Sequence, residues 1–436
     1  MKNLSNGSVG KRVMWTVMCV AMFLLLSAAV STAGGQRAGA GEAVTIEFAV
    51  WAQPYELEME KKYLAVFAEK YPNINVEHTT APFRPHHEKL QVRVAGGDPP
   101  DVMTLSELAI TNYVTRGVLK DLTPNFQKDN ISTDIFIDAA ISYMTSRGEP
   151  HAIRHKEGRI YGMPTWNSPC TLSYNIDRFR ERGVTYNEKW DWPEYRATLL
   201  KLSSDDDGDG KMDKFGGPRF DGLGGAIPWS FIYANGGTWV NEDATEATIN
   251  SSETVEAYQF LFDLALKDRS TPKVAEIPGL SYTQQFTTGR VATIWSHPWG
   301  LEAFKDAPFQ WDVGLPPVRK GRQVVEFETV AFSVSKDTKH PEEAWTLVKF
   351  LGIDPDCLEI MLEYGVLPST KDATITDPKM KKFQRAMGFG VAPDFIAEYP
   401  EMEDIIASEI EALFAGTKSA SEAMNSAKQK IDAILD

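Results

Sequence analysis

The chain has 436 residues, of which 43% are hydrophobic and 24% are charged, and its formal net charge is −15. This length predicts two or three domains, and the hydrophobic content suffices for a sizeable core. An acidic protein of this kind is repelled by nucleic acid and by anionic lipid, which excludes both as partners.

The N-terminal segment has the three regions of a secretory signal peptide. Lys2, Lys11 and Arg12 form a basic start, residues 13–30 are nearly all apolar, and a Ser-Thr-Ala run ends at Ala33. Ser31 and Ala33, the first and third residues of this run, are small, as signal peptidase requires before its cleavage site. Residues 1–33 are therefore predicted to be a signal peptide cleaved after Ala33. An uncleaved membrane anchor stays open as an alternative, because the apolar run approaches the length of a spanning helix.

A lipid anchor would require a cysteine at the cleavage point. Cys19 instead lies inside the apolar run. The sequence therefore predicts a periplasmic protein without a lipid anchor. Residues 34–43 are rich in Gly and Ala and are predicted to be a flexible leader.

From Val44 onward, short β-branched runs alternate with segments whose apolar residues recur at helical spacing. The predicted strands cover residues 44–50, 74–76, 101–105, 168–174, 291–295 and 330–334, and the predicted helices cover residues 56–71, 86–95, 189–202, 252–267 and 421–435, with one more from Ser230. This alternation predicts an α/β fold with parallel or mixed sheets flanked by helices. Because no long linker follows residue 43, two lobes joined by short crossings are favoured over domains on a string.

The motifs of common enzyme classes are missing from the sequence. There is no GxSxG nucleophile elbow and no GxxxxGK[ST] phosphate loop. His87-Glu88 is followed by Gln91, where a zinc-protease helix needs a second histidine. These absences favour a protein that is not an enzyme. The 60 acidic residues leave open a secreted carbohydrate-active enzyme that uses a pair of carboxylates.

Tryptophans beside predicted strand ends and turns suggest a carbohydrate site. Sugar rings have apolar C–H faces on which an indole stacks, and their hydroxyls bond to polar side chains. The tryptophans with polar residues nearby are Trp51, Trp166, Trp229, Trp295 and Trp299. Core packing is the alternative for each, since tryptophan is highly buried on average.

Two features concern metals and thiols. Cys170 and Cys357 lie in no CxxC or Cys/His motif, so a zinc site is unsupported, and either a disulfide or two buried thiols stays open. Asp205, Asp207, Asp209 and Asp213 occupy the first, third, fifth and ninth positions of a calcium loop, with glycine at the sixth. The twelfth position holds glycine where a bidentate glutamate is needed, so a structural Ca²⁺ site of weak affinity is an alternative to a solvated acidic turn. No other cofactor is expected.

A series of short motifs follows the chain in a fixed order. It includes Gly97-Asp-Pro-Pro-Asp-Val102, Tyr161-Gly-Met-Pro164, Phe286-Thr-Thr-Gly-Arg-Val-Ala292, Pro298-Trp299 and Leu367-Pro-Ser369. In this order the motifs resemble the extracellular solute-binding proteins of the maltose-binding type, which serve carbohydrate ABC importers. The resemblance spans essentially the whole mature chain.

The resemblance implies a two-lobe periplasmic-binding-protein fold of type II, in which each lobe is a mixed sheet flanked by helices and the ligand cleft lies between the lobes. The N-terminal lobe would comprise residues 44–164 plus 328–372, and the C-terminal lobe residues 165–327 plus 373–436. It further implies a monomer that closes around a carbohydrate and presents both lobes to membrane permease subunits, without making or breaking a bond.

Positions that match the family supply the candidate ligand-binding residues Trp51, Gln53, Ser106, Glu107, Trp166, Asn167, Trp229 and Trp299. Glu56, Asn235 and His297 are added as polar neighbours of these tryptophans, Glu328 as part of a predicted lobe crossing, and Arg84 for its position just before the second predicted helix. His297 departs from the family, in which many members carry glycine before Pro-Trp. Together with Arg84, it raises the alternative of an anionic ligand such as glycerol phosphate or a uronic acid.

Overall fold

The computed structural model describes residues 43–147, 158–220, 226–392 and 396–436. The predicted signal peptide and all but the last residue of the predicted leader lie outside these ranges. Among the described residues, no helix combines the length and hydrophobicity that crossing a bilayer requires.

Strands and helices alternate through the first half of the chain, and helices dominate its last quarter. In chain order the strands are β1 (Val44–Trp51), β2 (Ile74–Ala81), β3 (Val102–Ser106), β4 (Thr145–Ser146), β5 (Arg159–Ile160), β6 (Met163–Asn175), β7 (Thr293–Ser296), β8 (Trp311–Gly314), β9 (Val325–Val334), β10 (Leu367–Pro368) and β11 (Gly390–Val391). The helices are α1 (Pro54–Lys70), α2 (Phe83–Ala95), α3 (Glu107–Thr115), α4 (Thr123–Lys128), α5 (Asp138–Tyr143), α6 (Ile176–Glu181), α7 (Trp192–Leu202), α8 (Ala226–Asn235), α9 (Ser252–Leu266), α10 (Tyr282–Thr287), α11 (Pro341–Ile353), α12 (Pro355–Glu363), α13 (Pro378–Met387), α14 (Tyr399–Phe414) and α15 (Ala420–Leu435). Short 3₁₀ turns cover Thr133–Ile135, Val274–Glu276 and Pro298–Phe304.

The main sheet is mixed. Its strand order is β10-β6-β9-β3-β1-β2. Strand β1 pairs in parallel with β2 and β3, whereas β9 lies antiparallel between β3 and β6. Parallel strands need crossover connections, and helices α1 and α2 supply them here. The α/β class predicted from the alternation is confirmed.

Strand β6 joins two sets of strands. Its first part pairs with β9, from Met163 to Cys170, and its last part pairs with β7 and β8, from Thr171 to Asn175. One strand therefore passes from a sheet built on β1 and β9 into a second sheet. The predicted lobe boundaries at this crossing stay a prediction.

Several elements differ in length from their predictions, for local reasons. Strand β2 continues to Ala81 because all of its residues pair with β1. Helix α7 begins at Trp192, so the predicted start at residue 189 is wrong. The cause is a capping box, in which the Asp191 carboxylate accepts from the Glu194 backbone N–H at 2.8 Å and Glu194 accepts from the Asp191 N–H at 3.1 Å.

The two C-terminal helices pack against each other. Ala423, Ala427, Ile431 and Leu435 are buried along one face of α15, which confirms the spacing predicted from the sequence. Glu409 of α14 is buried beside them. Its carboxylate accepts hydrogen bonds from Lys418, from Ser426 at 2.8 Å and from Lys430 at 2.7 Å.

Replacing Glu409 by glutamine is expected to destabilise the protein by about 1–2 kcal/mol, because charge-assisted bonds are lost inside the helix pair. Burial alone would raise the pKa of Glu409, but the bonds from Lys418, Lys430 and Ser426 outweigh it and lower the pKa to about 2. A lowered pKa gives stability that is present above the unfolded value and lost as pH falls toward 2. Thermal melts between neutral and acid pH measure this. The exposed Glu411→Gln change on the same helix is the control, and equal melting temperatures for the two variants would contradict the assignment.

Candidate functional site

Alternate residues of β6 and β9 share one face at the point where β6 passes between the sheets. Ser168 pairs with Glu328, and Cys170 pairs with Glu326. Residues two apart on a strand point the same way, and directly paired residues share a face. Trp166, Ser168, Cys170, Glu326 and Glu328 therefore line one surface, here called the crossing face.

An aromatic cluster adjoins the crossing face at Trp166. Trp51 ends β1, and its ring centroid lies 6.3 Å from that of Trp166, 5.2 Å from that of Phe83 and 5.4 Å from that of His87. Trp51 is 8% and Trp166 7% exposed, and the buried indole nitrogen of Trp166 has no partner among the described residues. Burial, with a smaller contribution from His86, lowers the pKa of His87 to about 4, so this imidazole is neutral at physiological pH.

A second aromatic pair lies at the opposite end of the crossing face. His297 follows β7, and its Nδ1 lies 3.0 Å from Ser168 Oγ, 3.1 Å from the Ser168 carbonyl oxygen and 3.4 Å from Glu328 Oε2. The Trp299 ring stacks on the His297 ring with centroids 5.1 Å apart and planes at 12°. Its Nε1–H donates to Glu328 Oε2 at 3.4 Å. Since Trp299 is 59% exposed, one face of its indole is available for stacking.

Three carboxylates lie together between these aromatic groups. Glu107 begins α3, and its Oε2 accepts from the Thr329 backbone N–H at 3.3 Å. Burial, reinforced by Glu328, raises the pKa of Glu107 well above its ordinary value. The pKa of Glu326 is likewise raised by burial, then by Glu328 and Glu107. Glu107, Glu326 and Glu328 are here called the acid cluster. Because their pKa values are raised, Glu107 and Glu326 hold protons more tightly than isolated carboxylates, so these two groups can both donate and accept hydrogen bonds.

Cys170 lies next to Glu326 of the acid cluster. Its Sγ, a ring nitrogen of His297 and a carboxylate oxygen of Glu326 are all within 4.8 Å of one another. Burial raises the pKa of the Cys170 thiol well above its ordinary value, with Glu326 and Glu328 adding to the effect. No local sequence pattern indicates this grouping, because the residues are far apart in the chain. Cys357 is also a buried free thiol, so the alternative of a disulfide is wrong.

Comparison with known proteins matches residues 48–352 to the family model described as "bacterial extracellular solute-binding protein". The chain belongs to this family. Among its relatives, the galactooligosaccharide-binding protein of Bacillus subtilis is 26% identical over 82% of this chain and 82% of its own. This solute-binding protein is also similar in structure to an ABC substrate-binding protein from Listeria monocytogenes solved in complex with cycloalternan, at 25% identity and a TM-score of 0.76, covering 90% of this chain and 98% of that one.

A third similar structure is the sugar-binding protein MalE from Xanthomonas citri, with 19% identity and a TM-score of 0.77 over 90% of this chain and 97% of that one. A likeness at this identity establishes the fold. The two-lobe α/β class of this solute-binding protein is therefore confirmed. Strand β6 is shared by its two sets of strands, and β9 is the neighbour of β6 in the first set.

Asn167 lies on the opposite side of β6 from the crossing face. Its Nδ2 donates to the Pro368 carbonyl at 2.9 Å, and its Oδ1 accepts from Thr329 Oγ1 at 3.1 Å and from Ser369 Oγ at 3.0 Å. Consecutive strand residues point to opposite faces, so Trp166 and Asn167 do not share a surface. In this solute-binding protein the Asn167 side chain ties β6 to β9 and β10.

The structure places Trp229 and Asn235 inside the protein, along α8. Trp229 is fully buried, with its ring centroid 4.0 Å from that of Trp239. Asn235 donates to the Glu253 carbonyl at 2.7 Å and accepts from Arg319 Nε at 3.1 Å. Ser230 of the same helix accepts from the Glu326 backbone N–H at 3.2 Å. Helix α8 thus contacts the β9 backbone at Glu326.

The remaining candidates lie near the starts of helices. Gln53 is exposed and caps α1, where the Glu56 carboxylate accepts from the Gln53 backbone N–H. Ser106 is buried next to Glu107, and its Oγ has no partner among the described residues. Arg84 is exposed in the first turn of α2. Ser106 directly precedes Glu107 of the acid cluster in the chain, whereas Gln53, Glu56 and Arg84 are distant from the cluster in sequence.

The acidic loop after α7 has part of the geometry of a calcium loop. Carboxylate oxygens of Asp205, Asp207 and Asp209 lie within 4.8 Å of one another. The Asp205 carboxylate accepts from the Gly208 N–H at 2.7 Å and from the Gly210 N–H at 2.8 Å. The Asp213 carboxylate accepts from the Asp206 N–H at 2.7 Å and so is engaged within the loop.

Proposed function

We propose that this solute-binding protein captures a carbohydrate between its lobes and delivers it to the membrane permease subunits of an ABC importer. The observation that carries the proposal is the free face of Trp299, which lies beside His297 and Glu328 at the junction of the two sheets. An indole face matches the apolar side of a sugar ring, and adjacent carboxylate and imidazole groups match its hydroxyls. The ligands named for the relatives from Bacillus subtilis and Listeria monocytogenes support the same class.

Closure of the lobes is expected because the residues proposed to contact the ligand come from both sheets. Trp51 belongs to the sheet of β1, whereas His297 and Trp299 follow β7 of the other sheet. A ligand that contacts both groups has a higher affinity for the closed form than for the open form, and this difference shifts the population toward closure. The closed form presents both lobes to the permease.

A thermal-shift screen with mono- and oligosaccharides is expected to raise the melting temperature for a subset of the sugars. A ligand that binds only the folded protein, at 100 times its Kd, stabilises it by about 2.7 kcal/mol. Amino acids and short peptides serve as controls of similar size. A shift caused by these controls, with none from any saccharide, would contradict the proposed ligand class.

The proposal includes no catalysis. The acid cluster is nevertheless where a carbohydrate-active enzyme would need its pair of carboxylates. Product analysis after long incubation with the saccharides that bind is expected to return them intact. Release of shorter sugars at a useful rate would establish the enzyme alternative instead.

An anionic ligand is disfavoured by the charge of the site. An anion bound here would lie beside Glu328 and would further disfavour ionisation of Glu107 and Glu326, and Arg84 is exposed in the first turn of α2. If the ligand were nonetheless anionic, its affinity would fall steeply with salt and on replacing Arg84 or His297.

We further propose that the protein is exported to the periplasm, cleaved after Ala33 and not lipidated, and that it acts as a monomer that binds no nucleic acid. The extracellular family supports export. Intact mass and N-terminal sequencing of the secreted protein test cleavage, and light scattering tests the monomer. A mature protein whose first residue carries the additional mass of a lipid would contradict the proposal that the protein is not lipidated.

Calcium is expected to bind the loop of Asp205, Asp207 and Asp209 with a Kd of about 10⁻⁴–10⁻³ M, since Gly216 replaces the bidentate glutamate. The ion would offset repulsion among these carboxylates and raise the melting temperature in millimolar CaCl₂. Asp205→Asn should remove the shift, and MgCl₂ is the matched control. An identical response of the wild type and Asp205→Asn to CaCl₂ would reject the site.

A further inference from the structure

Among the described residues, no lysine or arginine forms an ion pair with the acid cluster, and the nearest basic group is His297, 3.4 Å from Glu328. The first influences on the pKa of Glu107 and Glu326 are burial and neighbouring carboxylates, and no cationic side chain of the described residues contributes. Glu326 is 2% exposed, and its Oε2 has no hydrogen-bond partner within the described part of the chain. A buried carboxylate without a partner is costly, and such a group in a folded protein calls for an explanation.

The measured distances identify the groups that surround the Glu326 carboxylate. A carboxylate oxygen of Glu326 lies within 4.8 Å of a ring nitrogen of His297, and Glu328 Oε2 lies 3.4 Å from His297 Nδ1. The same Glu328 oxygen accepts from the Trp299 indole. A group beside His297 would therefore be within reach of both carboxylates and the Trp299 ring.

Two carboxylates and an indole are the surroundings that a small organic cation prefers. The ring quadrupole of tryptophan attracts an ammonium, and the carboxylates accept its N–H donors. Trp299 is exposed and Glu328 is partly exposed, so a ligand in solvent can contact both of these side chains.

We propose that the saccharide captured by this protein carries a basic amine, as in an amino sugar or an aminocyclitol, and that its ammonium group lies beside His297 between Glu326, Glu328 and Trp299. This inference rests on the proposed carbohydrate function and specifies its ligand class. The ammonium supplies a counter-charge and a hydrogen-bond donor to Glu326, whose Oε2 has no partner among the described residues.

A divalent metal held by Cys170, His297 and Glu326 is the rival occupant. It would require the thiolate of Cys170, whereas burial and the neighbouring carboxylates keep that thiol protonated by raising its pKa. The exposed Trp299 ring, which lies next to His297, also suits an organic cation better than a hydrated metal ion.

The test compares saccharides that differ only in charge. Glucosamine, galactosamine and mannosamine and their available oligomers are titrated by calorimetry against their N-acetylated forms and against the parent sugars. At least one amine is expected to bind about tenfold or more tightly than both of its neutral counterparts, with a preference that falls as salt rises. Glu326→Gln and the partly exposed Glu328→Gln should each reduce that ratio about tenfold, and Glu302→Gln, which removes an exposed carboxylate from the same 3₁₀ turn as Trp299, should leave the ratio unchanged.

Each other outcome has a definite meaning. Equal or tighter binding of the neutral sugars overturns this inference and leaves the carbohydrate function intact. If no saccharide of any charge binds, the proposed function fails as well. A melting-temperature rise caused by ZnCl₂ alone, and abolished in Cys170→Ser, would assign the position to a metal and overturn the amine.

Discussion

Trp299→Ala is expected to weaken saccharide binding by about 30-fold or more, while the melting temperature of the free protein stays nearly unchanged. Truncating a tryptophan that anchors a ligand commonly costs about 2 kcal/mol or more, which corresponds to this factor. The protein itself gains little from the side chain, because Trp299 is 59% exposed and packs mainly on His297. Calorimetric titration with the tightest saccharide from the screen, together with a thermal melt, measures both effects.

Two controls separate stacking from general disturbance of the surface. Trp299→Tyr keeps an aromatic face and should retain most of the affinity. Leu200→Ala truncates another exposed apolar side chain, on α7, and should change nothing. Unaltered affinity in Trp299→Ala would remove this residue from the site.

Glu326→Gln is expected to flatten the dependence of stability on pH. The folded pKa of Glu326 is raised above its unfolded value, first by burial and then by Glu328 and Glu107. Such a group contributes stability that is fully present below the unfolded pKa and is lost as pH rises through the folded pKa. The wild type should therefore lose stability as pH increases from about 4.5, and the glutamine variant should lose less.

At the alkaline end of this range the variant should exceed the wild type by about 1–3 kcal/mol, because a buried unpaired charge has been removed. Glu107, Cys170 and Tyr399, whose pKa values are also raised by burial, remain in place, so some of the slope persists. Melting temperatures of the two proteins between pH 4.5 and 9 are the measurement. Parallel curves would show that Glu326 does not titrate as the structure implies. Glu302→Gln, which removes an exposed carboxylate, should track the wild type.

The sequence was informative where a local pattern reports directly on the fold. The β-branched runs located β1, β3 and β9, and the four-residue spacing located the buried face of α15. It could not show which tryptophans face a ligand. Trp229 and Trp299 both lie among polar residues in the chain, yet one is fully buried in a helix and the other is exposed on a 3₁₀ turn.

Strand geometry explains the other differences. Trp166 and Asn167 are neighbours in the chain, and the alternation along β6 sends them to opposite faces. Glu326 and Glu328 have the two-residue spacing of a shared strand face, a signal that would have identified Glu326 as a candidate. Their approach to Glu107 depends on the pairing of β3 with β9, which no local pattern encodes.

A crystal structure of the protein with its tightest saccharide tests the central claim most directly. We expect a sugar ring stacked on the free face of Trp299, with at least one polar group bonded to Glu328 and with Trp51 or Trp166 contacting the same ligand from the other lobe. A saccharide bound elsewhere on the surface, with the Trp299 face bare and the lobes apart, would contradict the account.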